Sequence, residues 1–471
     1  MEKSRSGIGG AIEENTLAIL DASEATKHTR DADDDRIAFL EAVRATSLLP
    51  ENKAPPTFKM CEAVFKILRF GKSLELITTS YQLLNELDRQ FPRVYMTNSE
   101  GSSMSPELVV LQEAWTPFVL GTDISDSEKS TANDLTGGLF DPHGLHLLLQ
   151  GLAEASDVAD FQASDTKVLR DMLLFHYLVS VLEGDFGPRN QMYKESMNWI
   201  FVRESLLNMI LCSRKMNYKG LMKDCMAILC GLGQSLAEYD NTVPCSEASV
   251  VKQSEAIDTA LTTALLHFGR ITSTATLKLM VMVMELDSSK KYADMQGHTT
   301  RADGVRTPLA EIIQDELTYD KNILLPFLQV FKDSKWKLEI IVQFFWKYIS
   351  KPSVRTRRSN GPAVDATFSG VLKCISNSSS TKSITKKISA HAIQLLLAHG
   401  FQAFLLLSTK QPPLEGLPDS KEQVAGGSLV ETCKNLISIF NCLRTLDEEL
   451  EISSCAKEAL FVAATILSKK L

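Results

Sequence analysis

Three observations predict an all-α protein, an irregular armadillo/HEAT-like α-solenoid whose helix pairs stack as an α-α superhelix. Apolar residues recur at helical spacing in segment after segment, no convincing stretch alternates with period two, and adjacent helix pairs recur on the scale of about 40 residues. The chain carries only 24 glycines and 16 prolines in 471 residues. That share of breakers is below average and permits long helices. With 44% hydrophobic residues the chain can bury a large core.

The first ten residues read as a tail, and a helical pattern starts near Ile12. The acidic run DADDDR, Asp31 to Arg36, leads into a helix from Ile37 to Leu49, because acids complement the positive amino end of a helix. PENKAPP stops it at Pro50. Met60, Val64, Ile67, Leu68 and Phe70 then lie close to one stripe, closed by Gly71, and a second helix runs from Lys72 to Phe91. Ser105-Pro106-Glu107 has the form of a helix start, predicting a helix that ends near Gly121. This gives an N-terminal helical region over residues 1–121 and a flexible loop over 122–140, where periodicity disappears.

Middle helical repeats follow over 141–286. Helices are predicted from Lys167 to Leu182, Arg189 to Met216, Lys219 to Tyr239 and Glu247 to Gly269, and the run LMVMVM at Leu279 to Met284 reads as buried helix because no partner strand is nearby. A polar loop is expected over 287–306, then C-terminal helical repeats over 307–471 with a basic loop at 351–362. Within the last region, Trp336, Phe344, Phe345, Trp346 and Tyr348 read as core. A Ser-rich connector, a nearly all-apolar helix from Ile384 to Ser408 and a linker from Lys410 to Gly427 come next. A capping box at Ser428 to Glu431 opens the following helix.

Phosphate-cradling glycine loops, a zinc-binding H-E-x-x-H and a nucleophile elbow do not occur. His143 and His146 sit at i, i+3, yet a zinc site needs three or four ligands and no third is local. His176, between Phe175 and Tyr177, fits a hydrogen-bonded boundary histidine better than a base, and Cys230-Gly231-Leu232-Gly233 fits a close helix contact better than a cofactor turn. The expectation is a protein that is not an enzyme and has no cofactor. Nine cysteines without a C-x-x-C pair read as reduced, buried thiols of an intracellular protein. No signal peptide or membrane span is expected.

One charged feature stands out. Between Lys347 and Lys387 nine basic residues face a single acid, Asp365, in a chain of net charge −8. Lys351, Arg355, Arg357 and Arg358 in the loop, with Lys386 and Lys387 beyond it, are candidates for nuclear import or partner docking. A local DNA contact and a merely solvated loop are the other readings.

The stretches AVFKILRFGKSLELITTSYQLLNELDRQFPRVY (Ala63 to Tyr95), SKWKLEIIVQFFWKYI (Ser334 to Ile349) and CAKEALFVAATILSKKL (Cys455 to Leu471) resemble the plant family of negative regulators of systemic acquired resistance. The resemblance extends over most of the chain. It implies an armadillo-like nuclear protein without catalysis that restrains defence-gene expression and recombination. It further implies membership, as a partner subunit, of an SMC-type DNA-repair and chromatin complex, with no membrane and no small-molecule substrate. The residues alone also allow a cytoplasmic solenoid adaptor in trafficking or protein turnover.

Overall fold

The structure, a computed structural model, describes residues 30–49, 54–97, 107–120, 139–157, 166–242, 253–320, 322–349, 367–409 and 420–469. The expected amino-terminal tail, the loop up to residue 138 and the basic loop 351–362 lie outside the described residues. The all-α expectation holds: the described elements are seventeen α-helices, one short 3-10 turn and a two-stranded sheet. The chain divides into two compact units, Met1–Leu309 and Ala310–Leu471.

The first unit opens with α1 (Arg30–Leu48), α2 (Phe58–Phe70) and α3 (Leu74–Gln90). Thr57 caps α2 by accepting from the Met60 amide, and Met60, Val64, Ile67 and Leu68 of the expected stripe are buried, whereas Phe70 in the last turn is exposed. Such a cap stabilises a helix by about 1 kcal/mol. Where the sequence predicts a helix after Ser105, the chain instead forms a hairpin: β1 (Val94–Thr97) pairs antiparallel with β2 (Glu107–Val110), Val94 opposite Val110. The Ser-Pro-Glu signal is local. Cross-strand packing of Val94, Tyr95, Leu108 and Val109 is not, and it decides the outcome.

The rest of the unit comprises α4 (Pro142–Asp157), α5 (Thr166–Ser196), α6 (Trp199–Arg203), α7 (Leu206–Leu211), α8 (Tyr218–Thr242) and α9 (Gln253–Met295). Two helices expected on either side of Gly184 to Pro188 are one in α5, which continues through Pro188. An internal proline costs a helix about 3 kcal/mol. Burial of Phe186, Arg189, Asn190 and Tyr193 on both sides of it offsets that cost. The break comes later, at Met197, whose φ of 56° is left-handed, and α6 and α7 replace the predicted helix to Met216.

The loop expected over 287–306 starts late, because α9 runs on to Met295. Its remainder is tied down. Arg306 donates to Asp287 at 2.7 and 3.0 Å, and Trp199 Nε1 reaches Asp303 at 3.2 Å. Packing crosses the boundary expected after residue 121: α3 and β1 pack on α5, and within the middle repeats α4 packs on α8 and α5 on α9. Core closure between helices far apart in sequence is invisible to a reading of successive pairs.

The second unit contains α10 (Leu309–Tyr319) but for its first residue, then α11 (Leu324–Val330), α12 (Ser334–Ile349), α13 (Phe368–Ile375), α14 (Ser378–Thr385), α15 (Ala390–Thr409), α16 (Ser420–Leu446) and α17 (Ser454–Lys469). The Ser-rich connector is the helix α14, capped by Asn377, which accepts from the Ser380 amide at 2.8 Å. Helix α16 begins at Ser420, upstream of the capping box expected at Ser428. Helix α15 is long and apolar enough to cross a membrane by length and composition, yet it packs against α12 and α17. Gly400 lets Phe368 of α13 come close to α15: a Cβ there would stand 2.6 Å from the Phe368 ring.

Candidate functional site

A cavity of about 1200 Å³ opens in the first unit among α2, α3, the residues around the hairpin, and α5. Helix α3 puts Tyr81, Asn85 and Asp88, spaced i, i+4, i+7, on the wall, while Leu84 on the adjoining stripe goes into the core and buried Leu87 borders the cavity. The stretch after β2 supplies Trp115, and α5 supplies His176, Glu183 and Asp185.

The polar groups of this wall are wired to one another. Tyr81 OH and His176 Nδ1 lie 2.8 Å apart. Burial lowers the His176 pKa, with Lys278 adding to the effect, so the ring is neutral at pH 7 and bridges to the tyrosine. Trp115 Nε1 donates to Tyr177 OH at 3.2 Å. Tyr177 is fully buried and hydrogen-bonds Asp88.

Two carboxyls dominate the electrostatics. Asp185 Oδ1 lies 3.6 Å from Arg93 and 3.4 Å from Arg189, and its Oδ2 accepts the Leu206 amide at 2.7 Å. Asp88 has no cation at ion-pair distance among the described residues. Burial pushes its pKa up to about 7, against the hydrogen bond from Tyr177. Beside it, the Cys61 thiol is pushed up to about 12 by burial and then by Asp88, so it stays protonated.

The residues singled out from sequence fare unequally. Lys351, Arg355, Arg357 and Arg358 lie outside the described residues. Lys387 Nζ donates to the Tyr348 carbonyl at 2.8 Å, tying α12 to the end of α14, and Lys386 is exposed at the carboxyl end of α14. His146 Nε2 lies 3.2 Å from Asp224 on α8. Among the described residues no three His, Cys, Asp or Glu side chains gather as a metal site. Gly231 is a close helix contact, since a Cβ would stand 3.0 Å from the Ser156 carbonyl oxygen on α4. The aromatics Trp336, Phe344 and Phe345 are buried core. Asp88 escaped notice because NELDRQ has the look of a solvated helix face; the one available signal was the i, i+4, i+7 run Tyr81, Asn85, Asp88 beside an apolar stripe.

Comparison with known proteins completes the picture. No solved structure matches the chain. Residues 93–333 match the SNI1 middle domain and residues 349–471 the SNI1 C-terminal domain. The chain is 45% identical over 467 residues, 99% of its own length and 96% of the relative's, to the Arabidopsis thaliana protein called Negative regulator of systemic acquired resistance SNI1. That relative is named as a regulator, not as an enzyme. The chain belongs to the SNI1 family.

Proposed function

We propose that this chain is a negative regulator of plant defence, acting as a non-catalytic nuclear scaffold subunit of an SMC-type DNA-repair and chromatin complex and restraining defence-gene expression and recombination. The observation that carries the reading is 45% identity along 99% of the chain to a negative regulator of systemic acquired resistance. The helical build supports the scaffold part, because helices packed on one another leave extended outer surfaces for protein partners. The basic run between Lys347 and Lys387 supports nuclear import or docking.

Affinity purification of the full chain from plant nuclei tests the assembly, with SMC-type subunits expected in the eluate; their reproducible absence overturns it. A reporter fused to residues 345–390 tests import. Nuclear accumulation that is lost when Arg355, Arg357 and Arg358 become alanine is expected. Cytoplasmic residence of the full chain would favour an adaptor in trafficking or protein turnover instead.

A further inference from the structure

The acids lining the cavity are matched with cations, with few exceptions. Glu86 stands 3.1 Å from Arg44, Glu183 stands 2.8 Å from Lys278, and Asp185 lies between two arginines. Asp88 and exposed Glu113 have no such match among the described residues, and of the two only Asp88 is set into the wall. A half-buried carboxylate with no counter-ion beside it is unfavourable, so its retention needs an account.

The surroundings of Asp88 supply one. Trp115 is held by its bond to Tyr177 and meets Phe58 edge-on, with ring centres 5.1 Å apart. Phe58 is half exposed. An anion beside aromatic rings in a partly desolvated cavity is the chemistry that recognises an organic cation, through an ion pair and the negative faces of the rings. At about 1200 Å³ the space exceeds the ~300–1,000 Å³ usual for small-ligand pockets and accommodates a side chain together with flanking peptide.

We propose that this cavity binds a basic side chain, lysine or arginine, presented by an extended segment of a partner protein, with Asp88 as counter-ion and Trp115 and Phe58 as aromatic walls. The proposal rests on the scaffold reading in that it names the chemistry of one partner contact. It carries a pH signature. Asp88 must be ionised to bind; Cys61 on α2 and Tyr177 on α5 stay protonated between pH 6 and 8, and burial followed by the Lys278 charge lowers the His176 pKa, which favours its neutral ring. The arginines near it stay cationic.

The test uses the full chain and fluorescein-labelled peptides of alternating lysine and alanine, with acetyl-lysine and glutamate versions as controls, read by fluorescence polarisation. The lysine peptide is expected to bind about tenfold more tightly at pH 8 than at pH 6, and the acetylated peptide to bind at least tenfold more weakly. Asp88→Asn should weaken lysine-peptide binding at least tenfold and flatten the pH profile. The site is overturned if Asp88→Asn changes affinity twofold or less, if acetylation has no effect, or if the glutamate peptide binds best. The pH profile and acetylation arms need no variant, so they decide the matter even if Asp88→Asn misfolds. Wild-type recovery of SMC-type subunits that Asp88→Asn leaves unchanged would remove the proposed contact from that assembly without touching the scaffold reading. Peptide binding without any recovered subunit would do the reverse.

Discussion

Asp88 and Asp185 stand on the wall of one cavity, on α3 and α5, and burial raises the pKa of both. Their surroundings differ in kind. Asp185 lies between Arg93 and Arg189 and accepts the amide that starts α7, so its charge is occupied in holding three segments together. Asp88 has a tyrosine hydroxyl and a thiol for company, both protonated and neither a cation. The first arrangement is what a fold needs. The second lowers the stability of the fold when the carboxyl is charged, and a cation supplied from outside the chain would relieve that cost.

The comparison is broken most directly by removing Asp185. In Asp185→Ala two arginines keep their charge beside an unpaired α7 amide, and removing one partner from a buried network typically costs about 3–5 kcal/mol. Urea denaturation of the first unit should show a loss of that order, and a loss below about 1 kcal/mol would mean that water already screens the cluster.

Asp88→Asn should act with the opposite sign. The folded-state pKa is about 7 and the ordinary value 3.8. Below the lower value both states hold the proton. As pH rises toward 7 the unfolded state loses its proton first, so stability falls, and above 7 the folded state carries the full burial penalty. Asparagine abolishes the titration. The variant should be more stable than the parent by about 2 kcal/mol at pH 8 and equal to it near pH 3.5, measured as the difference in unfolding free energy.

How much of this was legible beforehand depends on whether a feature is local. The stripe of α2, the helical reading of Leu279 to Met284 and the aromatic core of α12 follow from periodicity, and the structure keeps them except at Phe70, which is exposed, and at Trp346 and Tyr348, which are half-buried. The β1–β2 hairpin and the passage of α5 through Pro188 do not, because cross-strand contacts in one case and burial of Phe186, Arg189 and Tyr193 in the other outweigh a local signal. The cavity was hidden for the same reason. Tyr81 and His176 meet across 95 positions of sequence, and nothing in either neighbourhood announces the other. The basic run was legible as composition, yet composition did not reveal that Lys387 is held by the Tyr348 carbonyl.

The second unit offers a buried titratable group of the structural kind. His399 on α15 is buried, and its pKa is lowered to about 4 by burial and then by Lys337. Above pH 6.5 the imidazole is neutral in both states. Between 6.5 and 4 the unfolded chain takes up the proton and the folded chain does not, so stability falls as pH falls. The loss should reach about 1–2 kcal/mol at pH 4. His399→Leu should remove this slope in pH-dependent unfolding while leaving the pH 6–8 behaviour assigned to Asp88 unchanged. Loss of the peptide-binding profile in that variant would break the division between the two groups.

The smallest effect is expected at the cavity rim, where Lys278 on α9 meets Glu183 on α5 at 2.8 Å with both side chains about half exposed. Water screens such a pair, so Lys278→Ala should lower stability by no more than about 0.5 kcal/mol. It should still be visible at His176. The His176 pKa is lowered first by burial and then by the Lys278 charge. Removing the lysine leaves the burial and deletes the repulsion, so the imidazole should titrate at a higher pH in the variant, as followed by its ring-proton resonances. A large stability loss would place the rim pair with the Asp185 cluster. An unmoved histidine would show that burial alone keeps His176 neutral.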